Sequence, residues 1–131
     1  MKKAATPEEV TAQPGNDSNR TRPPFQVERV ATALLWLGSL TCQEAEKAPI
    51  NARHLNSVMA ELRHHHGISW TATPEKAQGY RGEPAHLVRY ELTEIGQQQA
   101  RQQVENWRTR RGAGPIDWDL FHGASLAYWL S

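Results

Sequence analysis

The fold of this chain is decided by residues 38–67, which read GSLTCQEAEKAPINARHLNSVMAELRHHHG. Thr41 and Glu44 have the spacing of a capping box, in which the threonine hydroxyl accepts a free helix N–H and the glutamate side chain accepts the Thr41 amide. We therefore expect a helix to begin here. Pro49 interrupts that helix, and Asn51 offers an N-cap side chain to a second one.

The second helix has a single apolar face. Gly67 provides the stop that commonly follows a helix. A short helix, a turn of a few residues and a longer one-sided helix make up the helix-turn-helix unit, which places its second helix in a groove of DNA. The apolar residues recur at i, i+3, i+4 and i+7, one side of an α-helix, and are Leu55, Val58, Met59 and Leu62.

Around this unit the sequence predicts a mainly α domain with a small β-hairpin. Two strands joined by a polar loop after the third helix are typical of the wing of a winged helix-turn-helix. Thr93 is expected to cap the fourth helix, in which Ile95, Ala100, Val104 and Trp107 would be buried. The remaining elements, in chain order, are a helix at 26–37, strands at 68–73 and 85–92 joined by a loop at 74–84, and a helix at about 94–110.

The two ends of the chain differ in composition from its middle. Residues 1–24 hold almost no large apolar side chains and are rich in Pro, Asn, Thr and charge. Such a segment cannot bury enough surface to offset its ordering entropy, so we expect a disordered tail. The domain then covers residues 25–111, and residues 112–131 form an aromatic C-terminal segment in which Asp117 caps a final short helix.

The aromatic C-terminal segment allows two interpretations. It packs against the protein's own helices, or it forms an interface with a second copy of the chain or with another protein, because aromatic anchors are favoured in interfaces. The candidate interface residues are Trp118, Phe121, Tyr128 and Trp129.

Charge and cysteine content narrow the class of protein. The formal net charge is +1, so a nucleic-acid partner is neither required nor excluded. Eleven arginines stand against four lysines; arginine suits phosphate and guanine contacts, although a high-GC genome produces the same bias. A single cysteine, Cys42, excludes an internal disulfide. Without an apolar run near 18 residues or a signal peptide, we expect a cytoplasmic protein that does not span a membrane.

The sequence offers little support for catalysis or metal binding. There is no recognisable Ser-His-Asp or Cys-His set and no glycine-rich phosphate loop, so we expect no enzyme, no catalytic residues and no cofactor. Residues 64–66 are three consecutive histidines. Consecutive helical residues point about 100° apart and cannot converge on one ion, so we expect no metal site either.

Two runs of sequence carry a family resemblance. Residues 90–96, YELTEIG, look like the Tyr-x-Leu-Thr-x-x-Gly that joins the last wing strand to the following helix in many winged-helix regulators. Residues 30–70 resemble the small helix-turn-helix proteins of phages, prophages and other mobile elements. The chain departs at Pro49, where many of those proteins have Gly. The matching residues are Gly38-Ser39-Leu40-Thr41, Ala45-Glu46, Ile50, Arg53, Glu61-Leu62-Arg63 and Gly67-Ile68-Ser69-Trp70.

The resemblance implies a winged helix-turn-helix with a three-helix core, a two-stranded wing, a fourth helix and a short C-terminal helix or tail. The implied function is sequence-specific binding of double-stranded DNA by a transcriptional regulator. Its third helix, at about 52–65, would enter the major groove. Its wing, at about 74–84, would touch the backbone or minor groove. The alternative is a protein-interaction module that keeps this scaffold and binds a host or phage protein, or a second copy, through its aromatic C-terminus.

The expected DNA surface lies opposite the apolar stripe of the third helix. Arg53 is at the N-terminal end, which usually contacts base edges. In the wing, Lys76 and Arg81 flank Gln78-Gly79-Tyr80 and suit a phosphate or minor-groove contact. The alternative for the helix residues is an ordinary solvated face, and the alternative for the wing residues is an ordinary polar loop. The expected DNA-contacting residues of the third helix and its start are Asn51, Arg53, His54, Asn56, Ser57, Ala60 and His64.

Overall fold

A computed structural model describes residues 22–78, 82 and 84–131. The described chain is mainly helical with one two-stranded antiparallel sheet. Among these residues, no helix combines the length and the apolar character needed to cross a bilayer. The elements are α1 (Gln26–Leu37), α2 (Cys42–Ala45), α3 (Leu55–His64), β1 (Trp70–Gln78), β2 (Pro84–Leu92), α4 (Glu94–Arg110), a 3-10 helix (Trp118–Gly123) and α5 (Leu126–Trp129).

Helices α1 and α4 form where the sequence predicts them. Gly38 ends α1 with a φ of 91°, in the left-handed region that favours glycine. Thr93 caps α4, because its hydroxyl accepts the Gly96 amide at 3.0 Å. The expected burial of Ile95 is wrong, since its side chain is 60% exposed. Gly96 faces the core instead, where an added Cβ would lie 1.9 Å from the Ser69 carbonyl oxygen.

The start of the α2–α3 unit is confirmed, but the loop inside it differs from expectation. The Thr41–Glu44 capping box is present, and α2 spans only four residues before a loop that contains the cis Ala48–Pro49 peptide bond. Asn51 does not cap α3. It has a φ of 50°, and the N-cap is His54, also left-handed, so α3 begins at Leu55 rather than near residue 52.

The hairpin is longer than the sequence predicts. Strands β1 and β2 pair from Trp70 opposite Leu92 to Gln78 opposite Pro84, so residues 74–78 and 84 belong to strands rather than to the loop. Pro74 and Pro84, which lie in the predicted loop, are compatible with this sheet. Each strand of a two-stranded sheet has an outer edge, where the missing proline N–H costs no ladder hydrogen bond.

The core lies between α1, α3 and α4. The four residues of the apolar stripe of α3 are all buried, as predicted. In α4, Ala100 and Val104 are buried and Trp107 is half-buried. The same core continues without a break into the C-terminal segment, whose contributing residues are Ile116, Phe121, Leu126, Trp129 and Leu130.

The C-terminal aromatic residues serve mainly as core. Phe121 and Trp129 are buried, so of the two interpretations of this segment packing accounts for these two residues. The Trp129 indole N–H donates to the Phe121 carbonyl at 2.8 Å, so this polar group has a hydrogen-bond partner inside the core. Trp118 is half-buried, and Tyr128 remains 63% exposed. Asp117 caps a short helix, as predicted, but this is the 3-10 helix and not the final one, since α5 follows with Ser125 as its cap.

A buried ion pair joins the beginning of α1 to the end of α4. Arg111 Nη2 lies 2.9 Å from Glu28 Oε2, and the two side chains are only 6% and 3% exposed. Arg111 Nη1 also donates to the carbonyl oxygens of Arg22 and Ser131, at 2.9 and 3.2 Å. Of the expected disordered tail, residues 1–21 lie outside the described residues, whereas residues 22–24 make defined contacts with the fold.

Removing one partner of this pair is expected to destabilise the protein strongly. Glu28→Gln leaves the Arg111 charge buried without its counter-charge, which costs about 3–5 kcal/mol. Urea unfolding followed by circular dichroism measures the loss. Glu91→Gln on the exposed side of β2 is the control, and we expect it to change stability by at most about 0.5 kcal/mol.

A double variant separates the ion pair from simple packing. Replacing both Glu28 and Arg111 by Met removes both charges, so we expect it to be more stable than Glu28→Gln alone. The single variants Glu28→Met and Arg111→Met are measured beside it. If the double variant loses as much stability as the two single variants together, a role for the buried charge is contradicted.

Candidate nucleic-acid interface

The seven residues expected to contact DNA at α3 are all exposed. They lie opposite the buried stripe of α3 or just before its first turn, as about 100° per helical residue requires. We refer to this set as the α3 surface. Its members are Asn51, Arg53, His54, Asn56, Ser57, Ala60 and His64.

The backbone at Arg53 is held by the first residue of α1. Gln26 Oε1 accepts the Arg53 amide at 3.0 Å, and Gln26 Nε2 donates to the Arg53 carbonyl at 3.1 Å. Among the described residues, nothing bonds to the Arg53 guanidinium. The backbone is therefore fixed while the charged group stays available to a ligand.

Arg29, one turn further along α1, holds the preceding loop. Its guanidinium donates to the carbonyl oxygens of Ile50 at 2.6 Å, Asn51 at 3.3 Å and Pro24 at 2.8 Å. The loop it holds includes left-handed Asn51, so Arg29 supports a backbone that a non-glycine residue rarely adopts.

Sequence reasoning missed Gln26 and Arg29. They lie 27 and 21 residues before their partners at Arg53 and Ile50, and no spacing rule connects positions that far apart. Their only sequence signal is polar side chains in the first turn of an otherwise apolar helix.

The start of the α3 surface is polar rather than strongly basic. Asn51, Arg53 and His54 line a shallow depression together with Glu46. The lining therefore includes one permanent cation, Arg53, and one carboxylate, Glu46. The other four members of the α3 surface continue along the helix, and Lys76 lies apart from them on β1.

The hairpin is fixed to α3 through Trp70. Its indole N–H donates to the Met59 carbonyl at 2.8 Å. The Arg63 guanidinium carbon lies 3.6 Å from the Trp70 ring centroid, and Arg63 Nη2 donates to the Trp70 carbonyl at 2.6 Å. Arg63 is thus occupied within the protein. Lys76 is exposed further along β1, and Arg81 lies outside the described residues.

A second set of contacts ties the hairpin to α2. Arg89 on β2 forms two hydrogen bonds to Glu75 on β1, at 2.6 and 2.8 Å. It forms two more to Glu44 of the capping box, at 3.2 and 3.1 Å, and one to the Ser39 hydroxyl at 2.9 Å. The guanidinium therefore joins both strands to the start of α2.

These contacts shift the pKa values of both carboxylates. Partial burial acts to raise the Glu44 pKa, but hydrogen bonds from Arg89 and the Thr41 amide and the Arg89 charge leave it lowered. The hydrogen bonds from Arg89 are the main cause of the lowered Glu75 pKa. The same contacts raise the pKa of Arg89.

The three consecutive histidines point into different surroundings. His64 is exposed at the end of α3. His66 Nε2 lies 3.8 Å from a Glu61 carboxylate oxygen, and its ring packs edge-on against Trp107 with centroids 5.0 Å apart. His66 thereby joins the turn after α3 to α4.

We expect Gln26→Ala to loosen the backbone before α3. The variant removes the acceptor of the Arg53 amide, and one hydrogen bond of about 1 kcal/mol corresponds to roughly fivefold faster amide exchange. Hydrogen exchange followed by NMR measures this rate. Gln97→Ala, at an exposed position of α4, is the matched control. An unchanged exchange rate of the Arg53 amide would contradict the role of Gln26 in fixing this backbone.

The Arg89 contacts are expected to make stability depend on acid pH. Because Glu44 and Glu75 have lowered folded pKa values, their contribution is complete above the ordinary glutamate pKa of 4.5 and is lost as pH falls through the folded values. Arg89→Met removes that contribution, so its stability should fall less than that of the unchanged protein between about pH 5 and pH 3. Urea unfolding at each pH measures both curves, with Arg101→Met as control. Parallel curves would refute the expectation.

No family model matches this chain, and neither curated proteins nor solved structures provide a match. Its function therefore has to be inferred from its own residues.

Proposed function

We propose that this protein binds double-stranded DNA with sequence preference, as a winged helix-turn-helix transcriptional regulator of a phage or other mobile element. The observation that carries the proposal is the α3 surface. One side of α3 is wholly buried, and the other presents an exposed, mainly polar face whose starting backbone is held by α1. Such a regulator would act in the cytoplasm.

In this proposal α3 lies in the major groove with Arg53 at its leading end. A guanidinium can donate two hydrogen bonds to O6 and N7 of one guanine, which discriminates against other bases by about 1–3 kcal/mol. Because Gln26 holds both backbone groups of Arg53, the side chain starts from a fixed point. Less conformational freedom is then lost on binding.

The remaining residues of the α3 surface fit supporting contacts. Asn56 and Ser57 carry hydrogen-bond donors suited to phosphates or base edges. Ala60 is small, so the helix can approach the groove closely at that point. His64 stands at the far end of α3, where the helix would leave the groove.

The hairpin fits the role of a wing. Lys76 is exposed on β1 and suits a phosphate contact. Trp70 fixes the hairpin to α3, and Arg89 fixes it to α2. Contacts made by the hairpin and by α3 would therefore be set by one rigid arrangement rather than by two independent ones.

The alternative is a protein-interaction module that uses the aromatic C-terminus to bind a host or phage protein or a second copy. Two of its four expected anchors, Phe121 and Trp129, are buried. Tyr128 and half-buried Trp118 remain, which is less than the clustered aromatic centre that strong interfaces use. DNA binding is therefore the function we favour.

The test starts from a selection of duplexes from a random-sequence pool. The affinity for an enriched duplex is then measured by fluorescence anisotropy at several salt concentrations. We expect affinity to fall as salt rises, because each neutralised phosphate releases counterions. No enrichment and no binding at low salt would overturn the proposal.

Matched variants assign the contacts. Arg53→Ala should weaken binding to the enriched duplex by roughly 5- to 150-fold, the equivalent of about 1–3 kcal/mol, and reduce the preference over unrelated DNA. Lys76→Ala should weaken binding to all duplexes alike. It should also make the slope of log affinity against log salt concentration less steep by about 1. Arg101→Ala, an exposed arginine on α4, should change neither. Equal effects of Arg53→Ala and Arg101→Ala would place the DNA surface elsewhere.

A further inference from the structure

A concave groove lies where the described chain begins, between the start of α1 and the end of α4. Its volume is about 390 Å³, within the range of roughly 300–1,000 Å³ in which small-molecule sites fall. The α3 surface does not contribute to its lining, so the groove is a separate feature of the molecule.

The walls of the groove are mainly apolar. Phe25 immediately precedes α1 and is 82% exposed, which is unusual for so large an aromatic ring. Val27 on α1 and Trp107 on α4 also line the groove and are half-buried. The Trp107 ring is held in place by its edge contact with His66. Two aromatic rings therefore flank a space that a flat apolar group can enter.

The charges around the groove are uneven. Arg22 and Arg110 line it and are exposed. Among the described residues, nothing bonds to the Arg110 guanidinium, whereas Arg22 Nη2 donates to the Arg110 carbonyl. Among the described residues that line the groove, the one carboxylate is Glu28, and both of its oxygens are bound by Arg111. The net charge presented to an occupant is therefore positive.

We propose that this groove binds a small molecule with an apolar, preferably aromatic, body and a carboxylate group. The body would lie against Phe25 and Trp107, and the carboxylate would pair with Arg110 beside Arg22. A guanidinium and a carboxylate form two parallel hydrogen bonds, which fixes the orientation of the ligand. A compact polyanion such as inorganic phosphate would gain nothing from the apolar walls.

The test uses the full chain and 2-naphthoate as the probe, with 2-naphthalenemethanol as a neutral analogue of the same shape. Titration followed by NMR should shift the Trp107 indole signal and the amides near Phe25, and calorimetry gives the affinity. We expect 2-naphthoate to bind at least about tenfold more tightly than the alcohol, because only the acid can pair with the guanidinium. Absence of shifts at millimolar probe, or equal affinity for the two probes, would overturn the proposal.

Variants locate the site. Arg110→Gln should reduce the affinity for 2-naphthoate to that of the alcohol, and Phe25→Ser should weaken both probes. Arg101→Gln and Leu120→Ser are matched controls, because both residues are exposed outside the groove. Loss of binding in either control to the same extent would refute this location. The titration needs no DNA, so its outcome is independent of the DNA-binding proposal.

The same samples test other occupants. Self-association abolished by Phe25→Ser would mean that a second copy fills the groove. Displacement of 2-naphthoate by a peptide with the sequence of residues 1–21 would mean that the chain's own N-terminus does so. Either result would overturn a small-molecule site.

Discussion

The buried Glu28–Arg111 ion pair is the contact from which the rest of the arrangement follows. A charge removed from water requires both a counter-charge and partners for its remaining donors. Arg111 meets this requirement with the Glu28 carboxylate and with carbonyl oxygens of Arg22, Trp129 and Ser131. The start of the described chain and its C-terminal residue are therefore brought to one point. Helix α1 is fixed at the end of α4 rather than only pressed against it by apolar contact.

This anchor also explains how the core supports the α3 surface. Glu28 turns inward to Arg111, while Gln26 and Arg29 on the same helix turn towards the loop before α3. The first four residues of α1 therefore connect the buried Glu28–Arg111 pair with the backbone that carries the exposed Arg53 side chain. A loop with two left-handed residues, Asn51 and His54, would otherwise be a poor support for a binding surface. Its carbonyl groups are held by α1, so α3 begins from a defined position.

Local signals predicted local structure well. The capping box at Thr41, the Thr93 cap and the apolar stripe of α3 depend on residues three to seven positions apart, and the structure contains them. The pattern also placed the exposed side of α3 correctly, because one face of a helix determines the other. Contacts between distant parts of the chain could not be predicted. Gln26 gives no sign that it meets Arg53, and the burial of Phe121 and Trp129 depends on where α1 and α4 leave space. The hairpin was predicted too short because residues 74–84 were interpreted as a polar loop, although a two-stranded sheet has room for the prolines of this segment at its outer edges.

Gly96 has a consequence for how relatives of this protein could be recognised. Any side chain there would collide with the Ser69 carbonyl, which itself accepts the Thr93 amide at 3.2 Å. The position is thus closed to substitution, while its neighbour Ile95 is exposed and free to vary. Over evolutionary time, a Thr-x-x-Gly pair at this junction, together with an inward Glu on the first helix and an Arg just after the fourth, should persist. If the α3 surface binds DNA as proposed, its residues should change with the target. Divergent homologues are therefore best sought through these internal positions, because the surface proposed to bind DNA is the part expected to drift.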